Sequence, residues 1–553
     1  FVNISPLKTD IAHIFDPEWI TIRPNTDAAM MLALAYTLVN EGLYDKNFIS
    51  THTVGLEKFI PYLNGDKDGQ PKNAEWAAQI TGVSAQTIIN LARRMAECRT
   101  MISTAWSLQR SDHGEQPIWL TVILASLLGQ IGLPGGGFGI GYGCENGIGN
   151  PVKIFNWPAL SQGTNSVEEF IPVARIADML LHPGTKFDYD GEKLSYPDIR
   201  LLYWAGGNPF HHHQDLNRLV DAFRQPECVI VNEIWWTATA RHADIVFPIT
   251  TVLERNDLMM TKWEPMATPM HKAIEPVGES RNDYDVFSGL AQRLGFFEEF
   301  TEGRNEEEWL RHLWDQARQR AGQANFELPD FDTFWHEGPK EILKAEDKTV
   351  LLEAYRKDPQ NNPLATPSGK IEIFSDVIAG FGYDDCPGHP VWMEPFEWLG
   401  GKTVKKFPLH IISNQPSTRL HSQLDSGSIS KGSKIKDREP MTMNPVDAAG
   451  RGIKTGDVVR VFNERGSCLA GVNLSENVMP GVIQLATGAW FDPIVPGQIG
   501  ALCKHGNPNV LTMDRGTSSL AQGPTAHSTL VQVEKFNDDI PKVTAHLPPA
   551  ISS

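Results

Sequence analysis

The stretch LLYWAGGNPFHHHQDLNRLVDAFRQPECVIVNEIWWTATARHADIVF, Leu201 to Phe247, decides the reading of the fold. An apolar run with strand character, Leu201–Ala205, stops at Gly206–Gly207–Asn208–Pro209. His211, His212, His213, Gln214 and Asp215 follow, then an amphipathic segment carrying Leu216, Leu219, Val220 and Phe223. A second apolar run, Cys228–Val231, ends in Asn232–Glu233. Strand, glycine turn, helix, strand is the βαβ unit of a parallel sheet. Such sheets bind ligands at the carboxyl ends of their strands, where turn amides and a helix N-terminus favour anions. The stretch reads as one wall of a nucleotide site.

The rest of the chain bounds that reading. Its 553 residues are too many for one core, and at roughly 100–200 residues per domain they predict about three domains. Hydrophobic residues at 41% and charged residues at 21% are ordinary for a globular protein. A net charge of −18 argues against a nucleic-acid surface; it is mostly a matter of solubility, with attraction of a basic electron-donor protein as the second reading. Cys98, Cys144, Cys228, Cys386, Cys468 and Cys503 form no CxxC pair, so neither a zinc ribbon nor an iron–sulfur run is expected. No apolar stretch reaches the roughly 18 residues of a membrane span. The chain opens on FVNIS, which has strand character, so an amino-terminal portion carrying any targeting signal is expected to be missing.

From the amino terminus, Ile20–Ile22 reads as a strand, and Pro24–Asn25–Thr26–Asp27 as a turn capping a helix that begins at Ala28. SAQTIINLARRMAEC is a helix with Ser84 as its cap, and TMISTAWSLQRSDHGEQ a strand ending in a polar turn at Trp106, Ser107, Gln109 and Arg110. The glycine run LPGGGFGIGYG does not lie between a strand and a helix as a dinucleotide fingerprint requires, so it reads as a loop or a close backbone approach. Residues from about Asn150 to Pro197 are irregular around a short helix, IPVARIADMLL. NEEEWLRHLWDQARQR reads as a solvated surface helix, and Leu328–Leu399 as a Pro-rich surface wrap. Composition changes near Lys402–Phe407, where period-two runs such as Val458–Arg460–Phe462 and Val482–Gln484 begin, separated by glycine turns. They predict a β-barrel.

Individual residues leave alternatives open. Three consecutive histidines splay apart, and zinc ligands are usually spaced, so His211–His213 are better placed to hydrogen-bond a phosphate or polar ring than to share a metal. Arg110, Arg255 and Arg419 each follow a strand-like run and suit bidentate phosphate pairing, or a surface salt bridge. Asp283 suits a guanine amino edge, or a helix cap.

The combined pattern is more specific. GGNPFHHHQD, WTATARHADIVFP, ERND, NPLATPSGKIEIFS, RLHSQL, EPMTMNPVDAAGRGIKTGDVVRVFNERG and GNPNVL…GTSSLAQG occur in this order. Across essentially the whole chain they resemble the molybdopterin oxidoreductases of the dimethyl sulfoxide reductase family, in the branch of trimethylamine N-oxide, dimethyl sulfoxide and biotin sulfoxide reductases. The resemblance implies parallel-sheet α/β nucleotide-binding domains followed by a double-psi-type β-barrel. The expected boundaries are 1–150 and 151–400 for the two α/β regions and 401–553 for the barrel.

It also implies a molybdenum bis(molybdopterin guanine dinucleotide) cofactor that removes oxygen from a small N-oxide or S-oxide, with electrons from a c-type cytochrome and a periplasmic location. Trimethylamine N-oxide is the first expected substrate; dimethyl, biotin and methionine sulfoxides follow. The cofactor performs the chemistry and the protein supplies position and electrostatics. Carried over by resemblance, cofactor contacts are expected at Ile4, Ser5, Asn25, Thr26 and Asp27, and at Trp106, Ser107 and Arg110. Cofactor contacts are also expected in the glycine turn at Asn208 and His212, and around the second nucleotide at Asn232, Glu233, Arg255 and Asp283, where Glu233 departs from the aspartate of the pattern. The barrel is expected to contribute Ser413, Asn414, Gln415, Pro416, Arg419, His421, Ser422 and Gln423, and then Asn509, Ala526 and His527. The serine that ligates molybdenum in this branch, and the aromatic pair above it, match no position here. No residue of this chain is assigned to the metal, and the chain by itself is expected to be inactive. A nicotinamide or flavin dehydrogenase, and a non-catalytic structural or electron-transfer relative of the same fold, are the competing readings.

Overall fold

The computed structural model of the protein describes residues 1–141, 155–262, 266–341 and 350–549. Tyr142 and Gly143 of the glycine run, Cys144, and the start of the irregular stretch at Asn150 lie outside the described residues. Strands β1 (Val2–Ile4) and β2 (Glu18–Ile20) pair in parallel, Ile4 against Ile20. The strand therefore ends where the sequence suggested it would begin, because its partner stops ahead of Pro6. Helix α1 (Asp27–Asn40) starts one residue earlier than expected. Thr26 is its N-cap but makes no side-chain cap bond; its hydroxyl donates 2.7 Å to the carbonyl of Arg23. Helix α2 (Ala85–Glu97) is capped by Ser84 as read. Strand β3 (Met101–Thr104), helix α3 (Glu115–Leu127) and strand β4 (Gly137–Ile140) complete the first layer, with β3 and β4 parallel. α1 and α3 are apolar around most of their circumference and lie in one core with Phe59, Leu63 and Ile88. Ile373 and Val391 join that core, and Ile371 bridges Thr53. The stretch after residue 350 therefore packs on the first layer instead of merely covering the surface.

The βαβ unit forms as read. Strand β5 (Leu201–Ala205), helix α4 (Leu216–Ala222) and strand β6 (Cys228–Glu233) are followed by β7 (Ile245–Pro248), giving a parallel sheet in the order β7–β6–β5. Gly206 and Gly207 take φ +74° and +77°, a pair of left-handed positions suited to glycine. The helix after this turn is broken: Pro209–His212 makes a single turn, and Asp215 then caps α4 by accepting from Arg218 N. Helix α5 (Asp283–Leu294) follows, and then α6 (Glu306–Gln323). α6 differs from the solvated helix expected of its charge run. Leu310, Trp314, Ala317 and Ala321 are buried along one face, and Trp314 is fully enclosed against Phe334, rings 3.6 Å apart.

Six strands close the predicted barrel: β8 (Leu409–Ile412), β9 (Pro440–Met443), β10 (Val458–Phe462), β11 (Ser467–Leu474), β12 (Val482–Leu485) and β13 (Leu530–Lys535). The order around the barrel is β8–β12–β9–β11–β10–β13, with β8–β12 and β9–β11 parallel. One core joins barrel residues Ile411, Met441 and Val461 to Phe210, Leu219 and Val231 of the βαβ unit. That shared core fixes the glycine turn against the barrel rim.

Candidate functional site

Three groups of predicted residues gather at the strand ends. In the first, Asn25 donates 2.9 Å to Ser111 Oγ and accepts 2.8 Å from Ser528 Oγ. Asp112 N donates to the same Ser528 hydroxyl, and His527 N donates 3.0 Å to the carbonyl of Arg110. Residues 503 positions apart thus frame the Arg110 turn. Arg110 itself has no side-chain hydrogen-bond or ion-pair partner among the described residues, and burial pushes its pKa down. A half-buried guanidinium without a carboxylate partner favours an anion beside it. Burial also lifts the Asp27 carboxyl to about 6, in a small cleft with Asn25, Ser111 and His113. It lowers His527 to about 3, with help from Arg110, so that imidazole is neutral. Trp106 and Ile4 are partly exposed at the rim. Ser5 is otherwise engaged: its hydroxyl bonds Asp10 and accepts from Leu7 N, closing its own turn.

The second group lies at the ends of β5 and β6. Asn232 donates 2.8 Å to Asp283 Oδ1 and accepts 2.9 Å from the Tyr203 hydroxyl. Asp283 is the first residue of α5, behind the cap Asn282, so it faces the strand end without capping the helix. The longer Glu233 side chain folds back, accepting from Ile234 N and Thr237 Oγ1 at 2.9 Å each. Burial raises its pKa. Asn208 is held by the Thr239 hydroxyl. Arg255 donates 3.0 Å to Thr250 O and lies 3.5 Å from Asp257. An Ile249–Arg281 bridge sets its loop beside Asp283.

The third group joins the glycine turn to the barrel. His212 is exposed and meets His421 edge-on, rings 5.2 Å apart. Gln415 grips His421 twice, with Nε2 2.8 Å from its Nδ1 and Oε1 accepting 3.0 Å from its N. His421 takes φ +51°, a strained backbone for a residue with a side chain. A Cβ on Gly488 would fall 1.9 Å from the carbonyl oxygen of His421, so only glycine fits beneath this loop. Ser413 and Ser422 are buried, while Gln415 and Gln423 are exposed. Pro416 is half-buried, as is Ala526 at the far end.

Two residues in this group do something other than the sequence implied. The guanidinium of Arg419 is fully buried, bonding Glu439, Ser430 and two carbonyls, 3.4 Å from Asp425. Asn509 is also enclosed: its Nδ2 donates 3.0 Å to the carbonyl of His211.

Sequence reasoning favoured His212 and passed over its neighbour. His211 is fully buried, stacks on Trp490 with rings 5.5 Å apart, and leaves both ring nitrogens without a partner. Burial, aided by His212, drives its pKa well below the usual histidine range. Gln214 Nε2 and Asn414 Oδ1 are likewise buried and unpaired. Buried polar atoms without partners are uncommon in folded proteins and call for a ligand or water.

Asp425, His505 and His546 lie close enough to share a cation. However, Lys434 already stands 2.7 Å from Asp425, and His505 Nδ1 is 3.0 Å from the Trp490 carbonyl. The cluster is an internally neutralised ion-pair network.

Residues 1–293 match the molybdopterin oxidoreductase family model, and residues 409–530 match the molydopterin dinucleotide binding domain. The chain belongs to the molybdopterin oxidoreductase family. It is 48% identical to a dimethyl sulfoxide/trimethylamine N-oxide reductase of Cereibacter sphaeroides, over 97% of this chain and 66% of that protein. The identity is also 48% to a trimethylamine-N-oxide reductase of Haemophilus influenzae (99% and 68%) and to a biotin sulfoxide reductase of Cereibacter sphaeroides (97% and 72%). The chain thus spans about two thirds of the length of these relatives. Its fold resembles acetylene hydratase from Pelobacter acetylenicus, with TM-score 0.65, 18% identity, and 96% and 73% of the two chains covered.

Both matched models support a molybdenum–pterin cofactor. The residues present fit one. Among the described residues Arg110 has no anion to pair with, and His211, Gln214 and Asn414 hold polar atoms without a partner. No helix among the described residues is long and apolar enough to cross a membrane.

Proposed function

We propose that the protein reduces a small N-oxide or S-oxide, removing its oxygen with two electrons and two protons to leave the amine or sulfide and water. Trimethylamine N-oxide is the first choice, followed by dimethyl, biotin and methionine sulfoxides. The cofactor in this reading is a bis(molybdopterin guanine dinucleotide), which when bound supplies two-electron oxygen-atom transfer. The electrons come from a c-type cytochrome and the location is periplasmic. The names borne by relatives at 48% identity support the reaction class.

The observation that carries the reading in this chain is Arg110, a partly buried cation with no carboxylate partner, framed by Asn25 and His527. It would pair with a phosphate or pterin edge. Asn232, Asp283 and Arg255 would hold the second nucleotide, with the Asp283 carboxylate facing a guanine amino edge. His211, His212, His421 and Asn414 would line the pterins. Neutral His527 and His211 would offer donor and acceptor nitrogens without adding charge.

The test is a metal and nucleotide assay on the full-length protein. Molybdenum near one per chain with releasable guanine nucleotide supports the reading, and absence of both sinks it. Turnover of the candidate oxides by the same preparation then ranks the substrates.

A further inference from the structure

Residues 541–547, just past the last barrel strand, form a strap held from both the barrel side and the sheet unit. Arg241, in the loop between β6 and β7, donates to the carbonyls of Thr544, Ala545 and Leu547. Arg438 donates to Pro541 O. Thr544 bonds both oxygens of Asp492, by its N at 2.6 Å and its hydroxyl at 2.8 Å, and Lys504 reaches its Oγ1 at 2.7 Å. The strap thereby presents His546 to the interior, where Nε2 donates 3.1 Å to Asp425 Oδ2. The same oxygen accepts from Trp490 N, and His546 meets the Trp490 ring edge-on at 5.0 Å. Trp490 in turn stacks on His211 and donates 3.0 Å from Nε1 to the carbonyl of Ser422. The other Asp425 oxygen holds Ser430 and Lys434 and lies 3.4 Å from Arg419. Arg419 Nε itself donates to His421 O.

We infer that His546 is a positioning residue for the cofactor: the strap, acting through Asp425, fixes Trp490 and the Arg419–Gln423 loop, and these set His211 and His421 against the bound group. The inference rests on the cofactor reading above. A buried carboxylate with several donors holds them in one mutual geometry, and removal of one donor leaves the others misplaced. Because the strap is anchored both on the barrel side and on Arg241 in the loop after β6, it ties the barrel to the sheet unit. A strap that merely braced the barrel would need neither Arg241 nor a histidine aimed at Asp425.

The experiment compares the full-length holoprotein with His546→Ala, His546→Gln and Thr544→Val. Glutamine keeps a donor for Asp425, and valine loosens the strap at Asp492 without touching His546. Release of pterin and molybdenum is followed by pterin fluorescence and metal analysis at a temperature well below unfolding, and Tm is recorded separately. Loss of a hydrogen bond to a buried charge predicts release about tenfold faster for H546A. H546Q is expected near wild type and T544V between the two. Release at the wild-type rate from folded H546A and T544V overturns the inference, as does release that merely follows Tm across the set. If H546A does not fold, T544V and H546Q decide by the same two readouts. Wild-type protein free of molybdenum and pterin removes the cofactor reading instead, a separate failure.

Discussion

The imidazole of His211 lies nearly parallel to the indole of Trp490, planes 25° apart, in full burial and with neither ring nitrogen bonded. The stack explains why the side chain is held there, and it leaves the two nitrogens unexplained by the protein alone. An unpaired buried polar group costs about 1–3 kcal/mol, a cost that a bound ligand or water at these nitrogens would offset.

Replacement of His211 by phenylalanine separates those two effects. The ring stack survives and both unpaired nitrogens disappear. Cofactor-free protein carrying His211→Phe is expected to unfold about 1 kcal/mol later than wild type in denaturant, while its retained molybdenum and guanine nucleotide fall. A variant that is destabilised without cofactor and unchanged in retention would show that His211 is an ordinary core residue.

Arg110 makes the complementary prediction. Its guanidinium has no partner to lose, so Arg110→Gln is expected to leave cofactor-free stability within about 0.5 kcal/mol of wild type. Cofactor affinity is expected to fall by about 2 kcal/mol, the scale of a charge-assisted hydrogen bond. Arg419→Gln should do the reverse, since it strips a fully buried cation from Asp425 and Glu439 and damages the fold first. Denaturant titrations beside cofactor assays on the two variants check both halves; equal behaviour would refute the distinction.

The contrast between these arginines shows what the sequence could carry. The βαβ unit was legible because its signals are local: two glycines needing positive φ, a break in periodicity, and two apolar strands within about thirty residues. The barrel was legible from its period-two runs for the same reason. Arg419 was not, because the carboxylate that takes it inward, Glu439, belongs to a segment that returns only in three dimensions. His211 and His212 are adjacent in sequence, and only the single helical turn at Pro209–His212 decides which one is buried. In α6 the spacing of Leu310, Trp314, Ala317 and Ala321 was present all along, masked by the acidic run at its start. Ser5 and Asn509 matched the family pattern, yet both side chains are engaged within the protein.

Gly488 tests the geometry of the His421 loop. Its φ of +91° and the 1.9 Å approach of His421 O leave no room for a methyl group. Gly500 has φ +80° with open space around its Cβ position, so it isolates the backbone cost. Gly500→Ala is expected to cost about 1 kcal/mol, and Gly488→Ala several-fold more, with loss of cofactor even where the protein folds. Matched thermal melts and metal contents measure the difference, and equal costs at the two glycines would mean that the loop is not packed as seen.

Asp425 gives a prediction in pH. Burial alone would raise its carboxyl, but the hydrogen bond from His546 and the charges of Lys434 and Arg419 together outweigh it and hold the pKa far below the carboxylate range. A depressed acid stabilises the folded state fully above its unfolded value, about 4, and that stability drains away as pH falls below it. Asp425→Asn has no charge to titrate and leaves Lys434 and Arg419 short of an anion. At pH 7 it is expected to cost about 3–5 kcal/mol, the scale for breaking a buried ion pair from one side. Below pH 4 the wild-type protein loses this contribution while the variant has none to lose, so the gap between them narrows. Urea unfolding of both proteins at pH 7, 5, 4 and 3 follows that gap. A constant difference across the series would mean that Asp425 is held by packing and hydrogen bonds rather than by its charge.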